Sequence, residues 1–483
     1  MLHHIPALLM TTMILTACSA APVRKSSAVD ARAARTKALL TGVTMQFDAG
    51  FKYYQDRSPE SIAAEFAANG YKVVHYCVTK DSAINGDIVK ALHREGIKVW
   101  YQTFCHVAYD TSDFPPNWQS WRMKLRTPAT DYNRMCMTNP EYREWKRAQV
   151  VDVMKKYPFD GCELVEPFWP SYPGPQEPTY GCLCDSCSKE FLRLHPDCDA
   201  IPEFTDQDSP MYYTKAPEHY RKWVNFRVRS IADFMEVVLN SPNGLRKARP
   251  DAPVMLWSLA QDVPDSVPAL RESQGCDAAD LARTAKPDAI CFQSNWQDWT
   301  KPVLSPDYVL AYEPFLKNLW TVAPKMPVAV QLDIGSNKDA RRDDAWIGKA
   351  TASSKKMGAL GTVSYEYFIG KSRYDDPPRL VFTRPTATGL SLVFQKRVDA
   401  GRAGDTANYT VTDAKGRSFE VSKAVADGNM IRLSISGLKT GQRYTVKAAE
   451  ITDTPDRWLF PGYPAHKVAN VKSVFTWKPA AKQ

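Results

Sequence analysis

Leu40-Thr-Gly-Val-Thr-Met-Gln-Phe47 is a short apolar run, and Asp48-Ala49-Gly50 leads out of it into a polar loop. Ser58-Pro59-Glu60-Ser61 then opens a helix that runs through Phe66, with Ser58 able to cap the free N–H groups and Pro59 suited to the first helical position. Asn69-Gly70 stops that helix, and residues 71–78 are again strand-like. One strand, a polar loop, a helix and a second strand make a βα unit. Phe47-Asp-Ala-Gly50 also lacks the G-x-G-x-x-G that an open dinucleotide-binding sheet carries after its first strand.

The same alternation continues downstream. Further strands are expected at 97–104, 159–165, 254–259, 289–294, 327–333 and 361–367, with helices at 87–94, 139–156, 217–239, 278–285, 308–322 and 344–357. Eight strands in strict alternation with helices predict a closed parallel (β/α)8 TIM barrel over residues 39–376. Two connections, 105–138 and the stretch between strand four and residue 217, are too long for ordinary turns and are functional-loop candidates.

Beyond Asp375-Asp376-Pro377-Pro378 the apolar period falls to two. Short strands at 388–396, 407–412, 418–422, 430–435, 444–451 and 471–477 are separated by turns such as Asp427-Gly428. Residues 377–483 are therefore expected to form a small all-β sandwich of immunoglobulin or fibronectin type.

At the other end, residues 5–17 are apolar but shorter than the roughly 20 residues a spanning helix needs. They end in Leu15-Thr16-Ala17-Cys18, which resembles the lipobox of bacterial lipoproteins. That resemblance implies a signal peptide over 1–17, lipidation at Cys18, and a flexible tether over 18–38. It also implies a membrane-anchored protein of the periplasm, outer membrane or cell surface. An ordinary signal peptide cleaved near Ala20 is the alternative, and both export the chain. The formal charge is +9, with no run of five or six Lys or Arg, so no nucleic-acid footprint is present.

In a barrel of this kind the reacting groups stand at the carboxyl ends of the strands. Those ends carry Asp48, His75, Tyr101, Gln102, His106, Glu163, Glu166, Trp257, Gln293, Asn295, Trp296, Asp333 and Glu366. Acids, amides and aromatic rings on one rim suit a polyhydroxylated ligand. Carboxylates supply proton transfer and a nucleophile, amides bond hydroxyls, and rings stack on sugar faces. The catalytic candidates are Glu166, Asp333, Glu366 and Glu163, and the others are substrate-binding candidates. No organic cofactor is expected.

Cys136-Met-Thr-Asn-Pro-Glu-Tyr-Arg143, then Gly161-Cys-Glu-Leu-Val-Glu166, then Cys182-Leu-Cys184-Asp-Ser-Cys187 follow in that order. Together they resemble the acid/base segment of glycoside hydrolase family 42 β-galactosidases. The resemblance implies a structural zinc ion on Cys136, Cys182, Cys184 and Cys187, and Glu166 as general acid/base. Val165 stands where that family has Asn, and Asp333 closes the strand where it has its nucleophilic Glu. Disulfides are the alternative for the cysteines in an oxidising compartment, with Cys198 as a further partner. Three functions stay open: a glycosidase of the cell envelope, a carbohydrate-binding barrel without hydrolysis, and a structural surface protein. The oligomeric state is not readable.

Overall fold

The computed structural model describes residues 28–128, 132–170, 172–468 and 471–479. Eight strands close into a barrel: β1 (Gly42–Asp48), β2 (Val73–Cys77), β3 (Lys98–Phe104), β4 (Gly161–Val165), β5 (Val254–Ala260), β6 (Ala289–Ser294), β7 (Val328–Asp333) and β8 (Gly361–Tyr365). Each pairs in parallel with its sequence neighbours, and β8 pairs with β1 to close the ring. The expected TIM barrel is thus present.

Helix positions follow the local signals. Ser58 caps Pro59–Ala68 by accepting from the Ser61 N–H, and Asn139 caps Pro140–Lys156 by accepting from Tyr142. Their apolar residues join those of Pro217–Asn240 and the outward strand faces in the main core. A second cluster fills the barrel's lower interior, where Trp100, Met255, Cys291, Ala329 and Val363 meet. There the Trp100 ring lies so close to Gly161 that a Cβ would sit 2.5 Å from it, so only glycine fits.

The N-terminal stretch differs from expectation. From Ala28 to Leu40 the chain is helical rather than a loose tether. Leu39 and Leu40 are buried beneath Trp100, whose indole N–H donates to the Leu39 carbonyl. Arg32 pairs with Asp288 just ahead of β6, which fixes the helix under the strands' amino ends. The apolar stretch 5–17 and the lipidation candidate Cys18 lie outside the described residues. Among the described residues, no helix is long and apolar enough to cross a membrane.

Two four-stranded antiparallel sheets follow the barrel. One has the order β9 (Leu380–Pro385), β10 (Gly389–Phe394), β14 (Met430–Ile435), β13 (Val421–Asp427). The other runs β12 (Ser418–Phe419), β11 (Tyr409–Asp413), β15 (Arg443–Ala448), β16 (Val471–Thr476). Leu390, Leu392 and Leu433 of the first meet Val411, Val446 and Phe475 of the second in a shared core. This is the expected all-β domain, with β9 as an added edge strand.

The two folds are locked by buried polar contacts. Arg57 is held between Glu65, at 2.6 Å, and Asn429 of the sandwich, at 2.9 Å. The Arg397 backbone N–H donates to the Tyr53 hydroxyl, and its guanidinium donates to the Tyr53 and Gln55 carbonyls.

Candidate active site

At the carboxyl ends of the strands the barrel opens into a cavity of about 400 Å³. Three carboxylates line it: Asp48 from the end of β1, Glu166 just after β4, and Asp333 from the end of β7. In the ring of strands, Glu166 stands three places from both Asp48 and Asp333. The amides of Gln46, Gln102, Gln293 and Gln331 and the rings of Phe104, Tyr109, Trp257, Trp299 and Tyr365 complete most of the wall.

Glu166 takes a left-handed backbone, φ +56°, directly before Pro167. For a residue with a Cβ this conformation costs about 1–2 kcal/mol, and such strain gathers where a side chain must be aimed. Burial raises the Glu166 carboxyl from its ordinary 4.5 to about 7, partly offset by a hydrogen bond from Gln293 and by the Arg134 charge. Asp333 is buried and likewise raised, against the pull of the Ser336 hydroxyl and the Gly335 and Ser336 N–H groups that donate to it. Asp48 is pushed by burial to about 6, with one oxygen taking the Gly50 N–H at 2.8 Å.

The strand ends therefore deliver Asp48, Gln102, Glu166, Trp257, Gln293 and Asp333 to one cavity, as expected from sequence. Two catalytic candidates fall elsewhere. Glu163 is fully buried one layer below, accepting from the Trp257 indole N–H at 3.0 Å and bonded to His75 Nδ1 at 2.7 Å. His75 Nε2 bonds Thr44 in turn, so this chain of side chains holds the Trp257 ring beneath the cavity. Glu366 is also fully buried, and it accepts from the Tyr54 hydroxyl and the Asp48 backbone N–H, each at 2.6 Å. Neither acid lines the cavity, because each spends its oxygens on neighbouring donors.

Four binding candidates besides His75 also stand apart. Tyr101 points outward to Asp81, the opposite face from Gln102. Asn295 donates to Gln261 and Gln274 behind the wall. Trp296 begins a short helix and is 56% exposed. His106 is buried against Phe168, and burial lowers it to about 3. Sequence reasoning did not single out Phe104, Tyr109, Trp299 or Tyr365 as binding groups. Phe104 shares the inward parity of Gln102 and was findable, whereas Tyr109 and Trp299 come from loops without periodicity.

The two long connections meet at Cys136, Cys182, Cys184 and Cys187. Their sulfurs all lie within 4.8 Å of one another, and the pairs Cys136–Cys187 and Cys136–Cys184 stand at 3.5 Å. A disulfide needs about 2.05 Å. Four thiolates around zinc at about 2.3 Å would lie about 3.8 Å apart, which this quartet fits. Cys198 lies outside the cluster, beside Asp197 and Lys222.

No family model matches the chain, and no curated protein matches it. Among solved structures, it resembles the PgaB (BpsB) glycoside hydrolase domain from Bordetella bronchiseptica at 12% identity, covering 68% of this chain and 94% of that one, with a TM-score of 0.48. A cold-adapted β-galactosidase from Rahnella sp. R3 is 14% identical over 69% of this chain and 52% of its own, TM-score 0.46. A β-N-acetylhexosaminidase from Bacteroides fragilis is 12% identical over 67% and 60%, TM-score 0.36. Likeness this distant leaves function to be read from the site itself.

Proposed function

We propose that the protein is a glycoside hydrolase, with Glu166 as general acid and Asp333 as the second carboxylate. One observation carries this reading: an acid raised to about 7 faces another carboxylate across a cavity walled by amides and rings. At neutral pH a good share of Glu166 holds its proton and can give it to the glycosidic oxygen as the bond breaks. Asp333, oriented by Gly335 and Ser336, serves the opposite face of the ring, as nucleophile or as base toward water. Trp257, fixed from below by Glu163, offers a stacking surface.

The cysteine quartet supports a structural zinc ion that ties the two long connections together and so steadies the loop after Glu166. The segment around it supports kinship with the family 42 enzymes, and the N-terminal motif supports lipid anchoring at Cys18 in the cell envelope. Hydrolysis of a panel of chromogenic glycosides tests the central reading. Loss of turnover in both Glu166→Gln and Asp333→Asn is expected, and unchanged rates in either variant would overturn its assignment. A second reading, sugar binding without hydrolysis, is favoured by Val165, which lacks the amide that the family presents beside the acid. It predicts saturable binding with no turnover on any glycoside.

A further inference from the structure

The turns at the strands' amino ends come from far apart in the chain, and the closed parallel barrel brings them onto one face. Five of them lead into β4–β8. With the last helical turns before them they cover residues 153–160, 245–253, 281–288, 319–327 and 354–360. These stretches carry ten Lys and Arg against three acids. Each acid is already matched: Asp160 by Lys98, Asp251 by Arg249, and Asp288 by Arg32 and Arg246. The lysines are left over. Lys155, Lys156, Lys286, Lys325, Lys355 and Lys356 are exposed and make no ion pair among the described residues.

A helix C-terminus favours cations, because its free carbonyls act as about half a negative charge. Two neighbouring lysines at 155–156, and again at 355–356, exceed that demand. The molecule is therefore polarised. The cavity at its other end is lined by three carboxylates, with no Lys, Arg or His among the described residues there. Ahead of Ala28 the sequence adds Arg24 and Lys25, and residues 1–27 hold no Asp or Glu.

We infer that the face formed by the turns into β4–β8 docks on an anionic phospholipid membrane. Within a Debye length of about 8 Å of such a surface, each Lys or Arg tightens attachment about fivefold. Lysine, a flexible point charge, suits mobile headgroups, whereas nucleic acids are met by planar Arg forks and aromatic stacking platforms. The ten residues from Cys18 to Ala28 span at most about 35 Å, so a lipid on Cys18 holds this face within reach of a bilayer. The choice of a membrane thus rests on reading Cys18 as a lipid anchor; the charge of the face does not.

Sedimentation of the full-length Cys18→Ser protein with vesicles tests this without acyl chains. The vesicles are phosphatidylcholine alone, or phosphatidylcholine with about one third phosphatidylglycerol. The anionic vesicles are expected to bind about tenfold more tightly or better. Raising salt from about 0.1 to about 1 M shortens the Debye length from about 10 to about 3 Å and should close the gap. Combining Lys155→Gln, Lys156→Gln, Lys355→Gln and Lys356→Gln should remove most of the preference. Combining Lys415→Gln, Lys423→Gln, Lys439→Gln and Lys447→Gln, at four exposed lysines of the sandwich, changes the net charge equally and should leave it. Equal binding to both vesicles, or an equal loss in the sandwich variant, overturns the inference. So does retention on heparin or duplex DNA without retention on anionic vesicles. The mass of the mature wild-type protein tests the anchor separately. An unacylated protein that keeps its preference for anionic vesicles removes the anchor and leaves this face standing, and an acylated one without the preference does the reverse.

Discussion

Replacing Glu166 by Gln should stabilise the protein, and by an amount that depends on pH. The folded state raises this carboxyl from 4.5 to about 7, so it holds a proton that the unfolded chain releases between those values. Stability therefore falls as pH rises through that window, and the penalty is complete above about pH 7. At about 1.36 kcal/mol per pH unit, the span from 4.5 to about 7 amounts to about 3 kcal/mol. Glu166 borders the open mouth, so water there trims the effect toward about 1 kcal/mol. Gln keeps a similar shape and the Gln293 contact without the charge. With about 2.1 cal/mol/K per residue over 483 residues, the unfolding entropy is about 1 kcal/mol/K, so 1–3 kcal/mol is about 1–3 °C. Thermal melts of both proteins at pH 4.5 and pH 8 read this directly. The variant should gain about 1–3 °C at pH 8 and almost nothing at pH 4.5. A gain that is equal at both values, or a loss at pH 8, would refute the reasoning. Glu166 would then ionise like an ordinary surface acid and could not donate a proton near neutrality.

Other outcomes follow from the same geometry. Gln293→Ala removes a hydrogen bond that lowers the Glu166 carboxyl, so the alkaline limb of kcat should move above pH 7. Trp257→Phe leaves one Glu163 oxygen buried without its donor, and urea unfolding should show a loss of about 1–3 kcal/mol. Glu65→Ala strands the buried Arg57 at the junction of the two domains and should cost about 3–5 kcal/mol by the same measurement. Cys184→Ser should lower the zinc content of the purified protein, measured by plasma emission, and increase protease cutting within 166–216.

The barrel was legible because each strand is a short apolar run closed by a polar loop and followed by a capped helix. What escaped lacked that contrast. Ser266–Gln274 begins after Asp265 in a left-handed conformation with no side-chain cap, inside a stretch holding two prolines. Strand β9 is an edge strand whose residues are only partly buried, so no alternation marks it. The stretch before Leu39 is polar and rich in alanine, and its docking through Arg32 and Thr36 depends on a floor that only the closed barrel creates.

For the site, position along the strand is legible in the sequence, whereas depth in the barrel depends on which buried neighbours claim each group. Gln102 faces inward, so Tyr101 beside it had to face the helices. Glu163 has the inward parity of Val165 but sits two residues deeper, where Trp257 and His75 claim it. Glu366 follows Tyr365 with the opposite parity and turns to Tyr54. Asn295 and Trp296 start a helix that carries them away from the axis. Tyr109 and Trp299 arrive from loops, where no periodicity exists to be read.

The helix beneath the barrel has a consequence for how the molecule faces its surroundings. Residues 28–40 pack under the strands' amino ends, whereas the cavity opens at their carboxyl ends. The chain therefore enters the barrel from the face opposite the opening. Coupling at Ala28 itself should leave the opening clear, while coupling to the connections after β3 and β4, which bring Tyr109 and Glu166 to the cavity, would crowd it.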